Sequence, residues 1–319
     1  MGIQKLTERQ VVGTFYKKLN MDTGASWIND ISNLFTSDQA SEEYAWLGMA
    51  PAMREWVGGR NAKGFRENSL TIANKHFEGT LEILLKDINR DKTDQILTRV
   101  RELADKTNSH WASLLSTAIV NGASSTCYDG HYFFDTTHEE GDSGSQSNSI
   151  TSTLSALPAS NPGTTALPSV EEAQFSITKA IETIAGFVDD QGEPMNENAQ
   201  SFMVMVPVSY MNVYMQAVAT PTQVAASQSA LEALKQKFSI DVVPNVRLST
   251  MASSYQIVVF RTDAELKSLI RQEEIGVQTK MKGPGSEYEF DNDAWQFGVD
   301  TWRNVGYGYW QNSCLVTLA

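Results

Sequence analysis

Two things are scarce in this 319-residue chain: cysteine and, over one long stretch, positive charge. Only Cys127 and Cys314 are present, which excludes a disulfide framework and a four-cysteine zinc site and favours a reducing compartment. No Lys or Arg occurs in the 72 residues between Lys106 and Lys179, and the net charge is −13. Because binding to nucleic acid by charge needs clustered Lys and Arg, we expect at most weak, non-specific contact with DNA.

Long hydrophobic runs and the familiar catalytic motifs are also missing. No run approaches about 18 apolar residues, and the start MGIQKLTERQVVGTF is polar, so we expect no membrane span and no secretory signal. There is no P-loop, no dinucleotide-binding glycine pattern, no H-E-x-x-H and no G-x-S-x-G. Because these motifs are missing, we expect no cofactor. With 41% hydrophobic and 20% charged residues, the composition is that of a globular chain.

One tetrapeptide raises the possibility of a hydrolase. Gly141-Asp142-Ser143-Gly144 matches the sequence around the nucleophilic serine of chymotrypsin-like proteases. However, it lies in a loop rich in Ser and Thr, and no histidine has the setting found in that family. We therefore interpret it as a turn and keep a hydrolase using Ser143 as a remote alternative.

A second pattern raises the possibility of a metal site. Within twelve residues lie four side chains that can each bind zinc: Cys127, His131, Asp135 and His138. Their spacing matches none of the common structural zinc pairs. The segment TCYDGHYFFDTTH also fits a hairpin, with Asp129-Gly130 as the turn and three aromatic residues packing behind it, Tyr132, Phe133 and Phe134. We favour the hairpin and expect no metal, although a hydrolase with a Cys127/His131/His138 metal site remains the other form of the remote alternative.

The first half of the chain predicts extended parts around one long helix. Apolar spacing from Trp27 to Phe35 indicates a short helix within an N-terminal arm. Glycine-rich sequence then leads to a strand in which Phe77, Gly79, Leu81 and Ile83 share one face, as in a long hairpin that needs a surface to lie on. From an N-cap at Asp91 to Asn121 and Gly122, apolar residues recur every three or four positions, which predicts a helix of about 30 residues.

The second half predicts a compact α/β unit followed by a returning strand. Residues 141–170 are rich in Ser, Thr, Gly and Pro and are typical of a long loop. Helices are indicated at 175–184, 207–219 and 231–238, and strands at 201–206, 240–243 and 255–260, with a loop at 247–254. Near the end, Trp295, Phe297 and Val299 alternate with polar residues, which predicts a long strand, with Gly306 and Gly308 at a bend or bulge.

This order of elements resembles the Johnson fold of tailed-phage major capsid proteins. More narrowly, the sequence resembles the major head subunit of Mu-like phages and prophages. The motifs that carry the resemblance are Trp56-Val57-Gly58-Gly59-Arg60, the run from Asn74 to Thr80 that leads into the long helix, Tyr128-Asp129-Gly130 with Phe133-Phe134 and His138, and the ending from Trp302 to Trp310.

The resemblance implies an α+β fold, a division of the chain and a function. The expected parts are an N-terminal arm (1–55), an extended hairpin loop (56–86), a spine helix with peripheral domain (87–140), an axial domain (141–280, entered through 141–170) and returning peripheral strands (281–319). The implied function is a non-enzymatic shell subunit that forms hexamers and pentamers of an icosahedral head around double-stranded DNA. Scaffolding protein and portal are the implied partners, with assembly in the bacterial host cytoplasm.

Four cations near the predicted hairpin tip stand out on an acidic chain: Arg54, Arg60, Lys63 and Arg66. We expect them to contact an acidic patch of a neighbouring copy, with solubility as the simpler explanation. A non-viral protein nanocompartment of the same fold remains the main alternative function, because its shell subunit would need the same contacts between copies.

Overall fold

The computed structural model describes residues 7–21, 24–47, 67–90, 94–154, 162–219, 223–224, 227–228 and 230–319. Its helices are α1 (Glu8–Met21), α2 (Trp27–Ile31), α3 (Leu85–Arg90), α4 (Gln95–Asn121), α5 (Val170–Ala185), α6 (Met211–Ala219), α7 (Ala230–Lys237), α8 (Ser249–Ser253) and α9 (Glu287–Asn292). Its strands are β1 (Ser32–Thr36), β2 (Ser41–Leu47), β3 (Glu67–Ala73), β4 (Lys75–Leu84), β5 (His138–Glu139), β6 (Ser145–Gln146), β7 (Ser149–Ser152), β8 (Ser201–Pro207), β9 (Gln223–Val224), β10 (Ser227–Gln228), β11 (Ser239–Asn245), β12 (Gln256–Arg261), β13 (Leu269–Lys282), β14 (Ala294–Tyr307) and β15 (Ser313–Leu318).

The long helix predicted from the apolar stripe is α4. It contains 27 residues and so spans roughly 40 Å at 1.5 Å per residue. The predicted end at Asn121 is confirmed, with Gly122 as the C-cap. The start differs: Asp91 lies outside the described residues, and the N-cap is Asp94 in the left-handed region at φ 53°.

One face of α4 packs on a four-stranded sheet with the order β1-β13-β14-β4. β13, β14 and β4 are antiparallel neighbours, whereas β1 runs parallel to β13. Helix α1 packs against α4 and completes a small core whose buried members are Val11, Phe15, Val100, Ala104, Phe297 and Val299. The predicted alternation in both β14 and β4 is confirmed, because Phe77, Leu81 and Ile83 are less exposed than their polar neighbours.

The N-terminal region differs from the sequence prediction in two ways. Leu34 and Phe35 belong to strand β1 and not to a short helix, because helix α2 ends at Ile31. The hairpin is formed by β2 and β3, paired from Ser41↔Ala73 to Leu47↔Glu67, so its first strand lies within the predicted arm.

The predicted α/β unit is built on a five-stranded sheet with the order β11-β8-β12-β15-β7. Its buried strand β8 and the helices α5, α6 and α7 match the predicted segments. Helix α5 begins with a capping box, in which Ser169 and Glu172 bond each other's backbone N–H groups. The predicted loop at 247–254 contains a short helix, α8.

The chain passes between the two sheets more often than the sequence suggested. Strand β13 falls in the predicted axial part but pairs with β14 in the four-stranded sheet. Strand β15, expected among the peripheral strands, pairs with β12 and β7 in the five-stranded sheet. The register shifts lie in β13, between Glu273 and Gln278, and not at the predicted glycines.

Gly306 has a packing role that the sequence did not reveal. A Cβ at this position would lie 2.3 Å from Cδ1 and 2.8 Å from Cγ1 of Ile72, so any larger residue would force the Ile72 side chain of β3 to move. The hairpin formed by β2 and β3 therefore lies on the outer face of the four-stranded sheet, opposite α4.

We predict that Leu115→Ala lowers the free energy of unfolding by about 2–5 kcal/mol. Leu115 lies on α4 and is fully buried in the core beside the five-stranded sheet, so its truncation leaves a cavity. Chemical denaturation followed by circular dichroism measures the change. Thr117→Ala, an exposed position on the same helix, should stay within about 0.5 kcal/mol of wild type. Equal stability of the two variants would contradict the packing of α4 described above.

Candidate functional site

The segment after α4 forms the turn predicted at Asp129-Gly130. The backbone N–H of Cys127 donates to the carbonyl of His131 at 2.8 Å, and Gly130 has a positive φ of 86°. Phe133 and Phe134 are buried as expected, but Tyr132 is 47% exposed and does not pack with them. The hairpin interpretation is thus confirmed except at Tyr132.

A set of polar side chains, which we name the buried junction, lies behind this turn: Cys127, Asp129, His138 and Asn148. The Asp129 carboxylate accepts from the Cys127 thiol at 3.0 Å and lies 2.6 Å from Nδ1 of His138. The side chains of Asp129 and His138 are 1% and 0% exposed. Burial alone would raise the pKa of Asp129, but the hydrogen bonds from His138 and Cys127 outweigh it and the pKa is lowered.

Asn148 is fixed by its own hydrogen bonds and contacts the ring of His138. Oδ1 of Asn148 accepts from the backbone N–H of Asp135 at 2.9 Å, and Nδ2 donates to the carbonyl of Phe133 at 2.7 Å. Nε2 of His138 lies 3.2 Å from this Oδ1 atom, and Nδ1 lies 2.6 Å from the Asp129 carboxylate, so both ring nitrogens have a polar partner. The ring stacks on Trp310 at 4.0 Å between centroids.

The buried junction has the donor atoms of a metal site but uses them otherwise. One atom each from Cys127, Asp129 and His138 lie within 4.8 Å of one another. All three are engaged in hydrogen bonds with each other, and burial, followed by the charge of Asp129, raises the pKa of the Cys127 thiol. Asp135 is not in this group, because its carboxylate accepts from the backbone of Thr136 and Thr137. The arrangement serves as a polar core that ties the turn to β7 and Trp310.

Sequence reasoning named only part of this group. Cys127 and His138 were among the candidates, and Asp129 was expected only as a turn residue. Asn148 was missed altogether, because nothing in a single Asn between two serines indicates contact with a histidine ten residues earlier.

Glu140 lies close enough to the buried junction for the charge of Asp129 to act on its carboxyl group. Its Oε1 atom is buried without a hydrogen-bond partner. Burial is the main cause that raises the pKa of Glu140 to about 7, and the negative charges of Asp129 and Asp190 add to it, against the opposing effects of Tyr128 and His138.

Ser143 has the contacts of a turn residue. Its Oγ accepts from the backbone N–H of Glu140 at 2.9 Å and donates to the carbonyl of Gly144 at 2.9 Å. His138, the nearest histidine along the chain, has both ring nitrogens engaged by Asp129 and Asn148. Ser143 therefore has no activating base among these neighbours.

The four cations predicted to contact a neighbouring copy, Arg54, Arg60, Lys63 and Arg66, lie outside the described residues. Their chain segment connects the paired ends of β2 and β3 at Leu47 and Glu67. These strands are held on the four-stranded sheet by side-chain bonds: the Tyr44 hydroxyl donates to Gln272 at 2.9 Å, and Asn304 donates to the carbonyl of Ala73 at 2.7 Å.

The opposite end of the four-stranded sheet carries what we name the acidic tip, residues 283–293 between β13 and β14. Glu289 shapes it: its carboxylate accepts from Nε1 of Trp295 at 2.8 Å and from the backbone N–H of Gly285 at 2.6 Å. These hydrogen bonds lower the pKa of Glu289. The next residue, Phe290, is 91% exposed.

Comparison with solved structures identifies the class of fold. Over 98% of this chain and 76% of the other, the structure is similar to the procapsid of bacteriophage JBD30, with a TM-score of 0.55 and 20% identity. For the mature capsid of bacteriophage PhiM1, the TM-score is 0.56 and the identity 12%, over 93% of this chain and 89% of the other. For a virus-like particle from Pyrococcus furiosus, the TM-score is 0.55 and the identity 10%, over 97% of this chain and 98% of the other. The chain has the fold of tailed-phage major capsid proteins.

Sequence comparison narrows this class to one family. Residues 7–158 and 239–317 match the family described as Mu-like prophage major head subunit gpT, so the chain belongs to that family, which is structural and not enzymatic. The chain is 34% identical over 116 residues to the Mu-like prophage FluMu major head subunit of Haemophilus influenzae, and 31% identical over 118 residues to the major capsid protein of Escherichia phage Mu. These matches cover 36% and 37% of this chain and 38% and 39% of the relatives.

None of the helices in the described part of the chain is long and apolar enough to cross a bilayer.

We predict that Glu140→Gln stabilises the protein relative to wild type increasingly as pH rises from 4.5 to 7. In this interval the folded state holds a proton that the unfolded chain has released, so wild-type stability falls with rising pH at this group. The gain should reach roughly 1–3 kcal/mol at pH 7 and above. Denaturation curves at several pH values measure it, with Glu139→Gln, an exposed neighbour, as the control. A difference between wild type and Glu140→Gln that does not change with pH would contradict the burial of this carboxyl.

Proposed function

We propose that this protein is a major capsid subunit that assembles as hexamers and pentamers into the icosahedral head of a Mu-like phage or prophage, enclosing double-stranded DNA. The observation that carries the proposal is the family match, since its two segments include α4, the four-stranded sheet and most of the five-stranded sheet. The names of the two curated relatives, a major head subunit and a major capsid protein, support the same reading.

The partners belong to the proposal as well. A scaffolding protein, a portal and packaged DNA in weak contact would be met during assembly in the bacterial host cytoplasm, and the finished subunit would reside in the virion. These partners rest on the family resemblance, and the acidic balance of −13 supports weak DNA contact in particular.

A non-viral nanocompartment is the second candidate. The structure is as similar to the virus-like particle from Pyrococcus furiosus, at 10% identity, as to the JBD30 procapsid, so fold similarity alone does not single out a phage head. Membership of the Mu-like head subunit family favours the phage head. The contents of purified particles, nucleic acid or a protein cargo, decide between them.

The cations Arg54, Arg60, Lys63 and Arg66 are proposed as contacts between copies. We predict that Arg60→Glu together with Lys63→Glu stops assembly while the monomer stays folded, because like charges then face an acidic neighbour. Negative-stain microscopy, with and without scaffold, scores particles, and circular dichroism scores folding. Arg101→Glu with Lys106→Glu, an exposed pair on α4, is the control and should assemble. Normal particles from the hairpin variant would remove this contact from the proposal.

We also predict negligible binding of purified capsomers to double-stranded DNA at physiological salt. A protein with a net charge of −13 gains little from releasing counterions and repels the phosphate backbone. Fluorescence anisotropy with a labelled duplex, repeated at low and physiological salt, measures it. Micromolar binding that weakens steeply with salt would contradict the expectation of weak DNA contact.

A further inference from the structure

Two buried arginines lie side by side under the middle of α4. Arg271 on β13 is 8% exposed, and Arg303 on β14 is 3% exposed. Arg303 pairs in register with Glu273, two residues along β13 from Arg271, so the two arginines are diagonal neighbours on one face of the sheet. The centroid of the Trp111 ring lies 5.7 Å from Cζ of Arg271 and 4.7 Å from Cζ of Arg303. Two positive charges are thus buried in one place.

Only part of this charge is balanced within the chain. Burial lowers the pKa of both arginines, and the negative charge of Glu273 opposes this effect. Among the residues that the structure describes, neither guanidinium forms an ion pair. Oε2 of Glu273 lies 3.9 Å from the place that a Cβ on Gly276 would take. One acid against two guanidinium groups leaves one buried positive charge without a counter-charge.

Arg303 is fixed by α4, whereas Arg271 keeps a donor without an acceptor. Arg303 donates through Nε to Nδ1 of His110 at 3.0 Å and through Nη2 to the carbonyl of Thr107 at 3.2 Å. Arg271 donates through Nη2 to Oδ1 of Asn29 at 2.7 Å, but its Nε–H is buried and has no hydrogen-bond partner. Because a buried charged donor without an acceptor is destabilising, an added acceptor oxygen would complete this arrangement.

The arginine pair lies close to the surface beside α2 and β1. Asn29, which accepts from Arg271, is exposed. Leu34, the partner of Arg271 in the register of β1 with β13, is 49% exposed, and Trp111 is half-buried. The rim next to Arg271 is therefore partly polar and partly apolar.

The surroundings favour a carboxylate over a phosphate of a nucleic acid. The planar guanidinium fork matches the two oxygens of a carboxylate, and an Asp or Glu side chain could place its carbon atoms against Leu34. A nucleic-acid strand would bring several phosphates next to the exposed Asp30 and the half-buried Glu273, which would repel them.

We propose that Arg271, with Arg303 behind it, is a binding site for one carboxylate group, and that the partner it fits is an acidic peptide segment. The carboxylate would accept from Nε of Arg271 and supply the missing negative charge. This inference goes beyond the proposed function, since it holds whether or not the chain forms a phage head.

The Nε–H signals of arginine test the site on the full chain by nuclear magnetic resonance. Protein labelled with ¹⁵N is titrated with sodium acetate while sodium chloride is lowered in step, so that the ionic strength stays constant. We expect the Arg271 signal, assigned with Arg271→Lys, to shift saturably with a midpoint in about the millimolar range. Arg101, exposed on the same helix α4, is the control, and its signal should not saturate.

Asn29→Asp provides a second measurement on a variant that leaves the core intact. Asn29 is exposed and already accepts from Arg271, so the substitution places a fixed carboxylate at the rim. This variant should melt at a higher temperature than wild type, and its Arg271 signal should respond to acetate at least about tenfold more weakly.

Two results would overturn the inference. One is an Arg271 signal in wild type that acetate leaves unchanged up to roughly 100 mM, which would show that Glu273 balances the pair sufficiently. The other is saturation by inorganic phosphate but not by acetate, which would indicate a phosphate ligand. Neither measurement involves particles, so failure here leaves the proposed function standing, and a chain that forms no particles would leave this site standing.

Discussion

The constraint on which the rest of the structure depends is that one helix, α4, must bury its apolar stripe against two different sheets. Its first half packs Val100 and Ala104 on the four-stranded sheet, and its second half packs Leu115 and Ile119 into the core of the five-stranded sheet. Exposing buried apolar surface costs about 25 cal/mol per Å², so a shift of either sheet along the helix would be unfavourable. The helix therefore fixes the separation of the two sheets and, through them, the placement of every projecting part.

The transition between the two halves of α4 is held by polar contacts. Nε of Arg303 donates to Nδ1 of His110 at 3.0 Å, and the Arg303 guanidinium lies 4.7 Å from the ring centroid of Trp111. Burial, followed by the charges of Arg303 and Arg247, lowers the pKa of His110 to about 4, so its ring is neutral and can accept. In the buried junction, Asp129 and Asn148 engage the two ring nitrogens of His138. Two histidines, each fixed by its hydrogen-bond partners, thus secure the same framework.

Elements with a local sequence pattern could be predicted, and contacts between distant parts of the chain could not. α4, β8 and α5 were predictable because their periodicity or their continuous apolar runs extend over many residues. The pairing of β2 with β3 was not, since the partners are separated by the whole connecting segment and the apolar pattern of β2 is short. The sequence assigned no sheet to β15, which pairs with β12 and β7 in the five-stranded sheet. The buried junction needs Asn148 next to His138, a contact that the turn at Asp129-Gly130 and the return of the chain at β7 create together.

The positions of the acidic tip and of the β2–β3 hairpin are a consequence of β14. This single strand has the tip at its first residue and the crossing of β3 near its last, so its length separates two unlike surfaces on one rigid sheet. Near the other end, a Cβ at Gly306 would lie 2.3 Å from Cδ1 of Ile72. A larger residue at this position would force the Ile72 side chain to move, so the seating of the hairpin on β14 depends on this close packing.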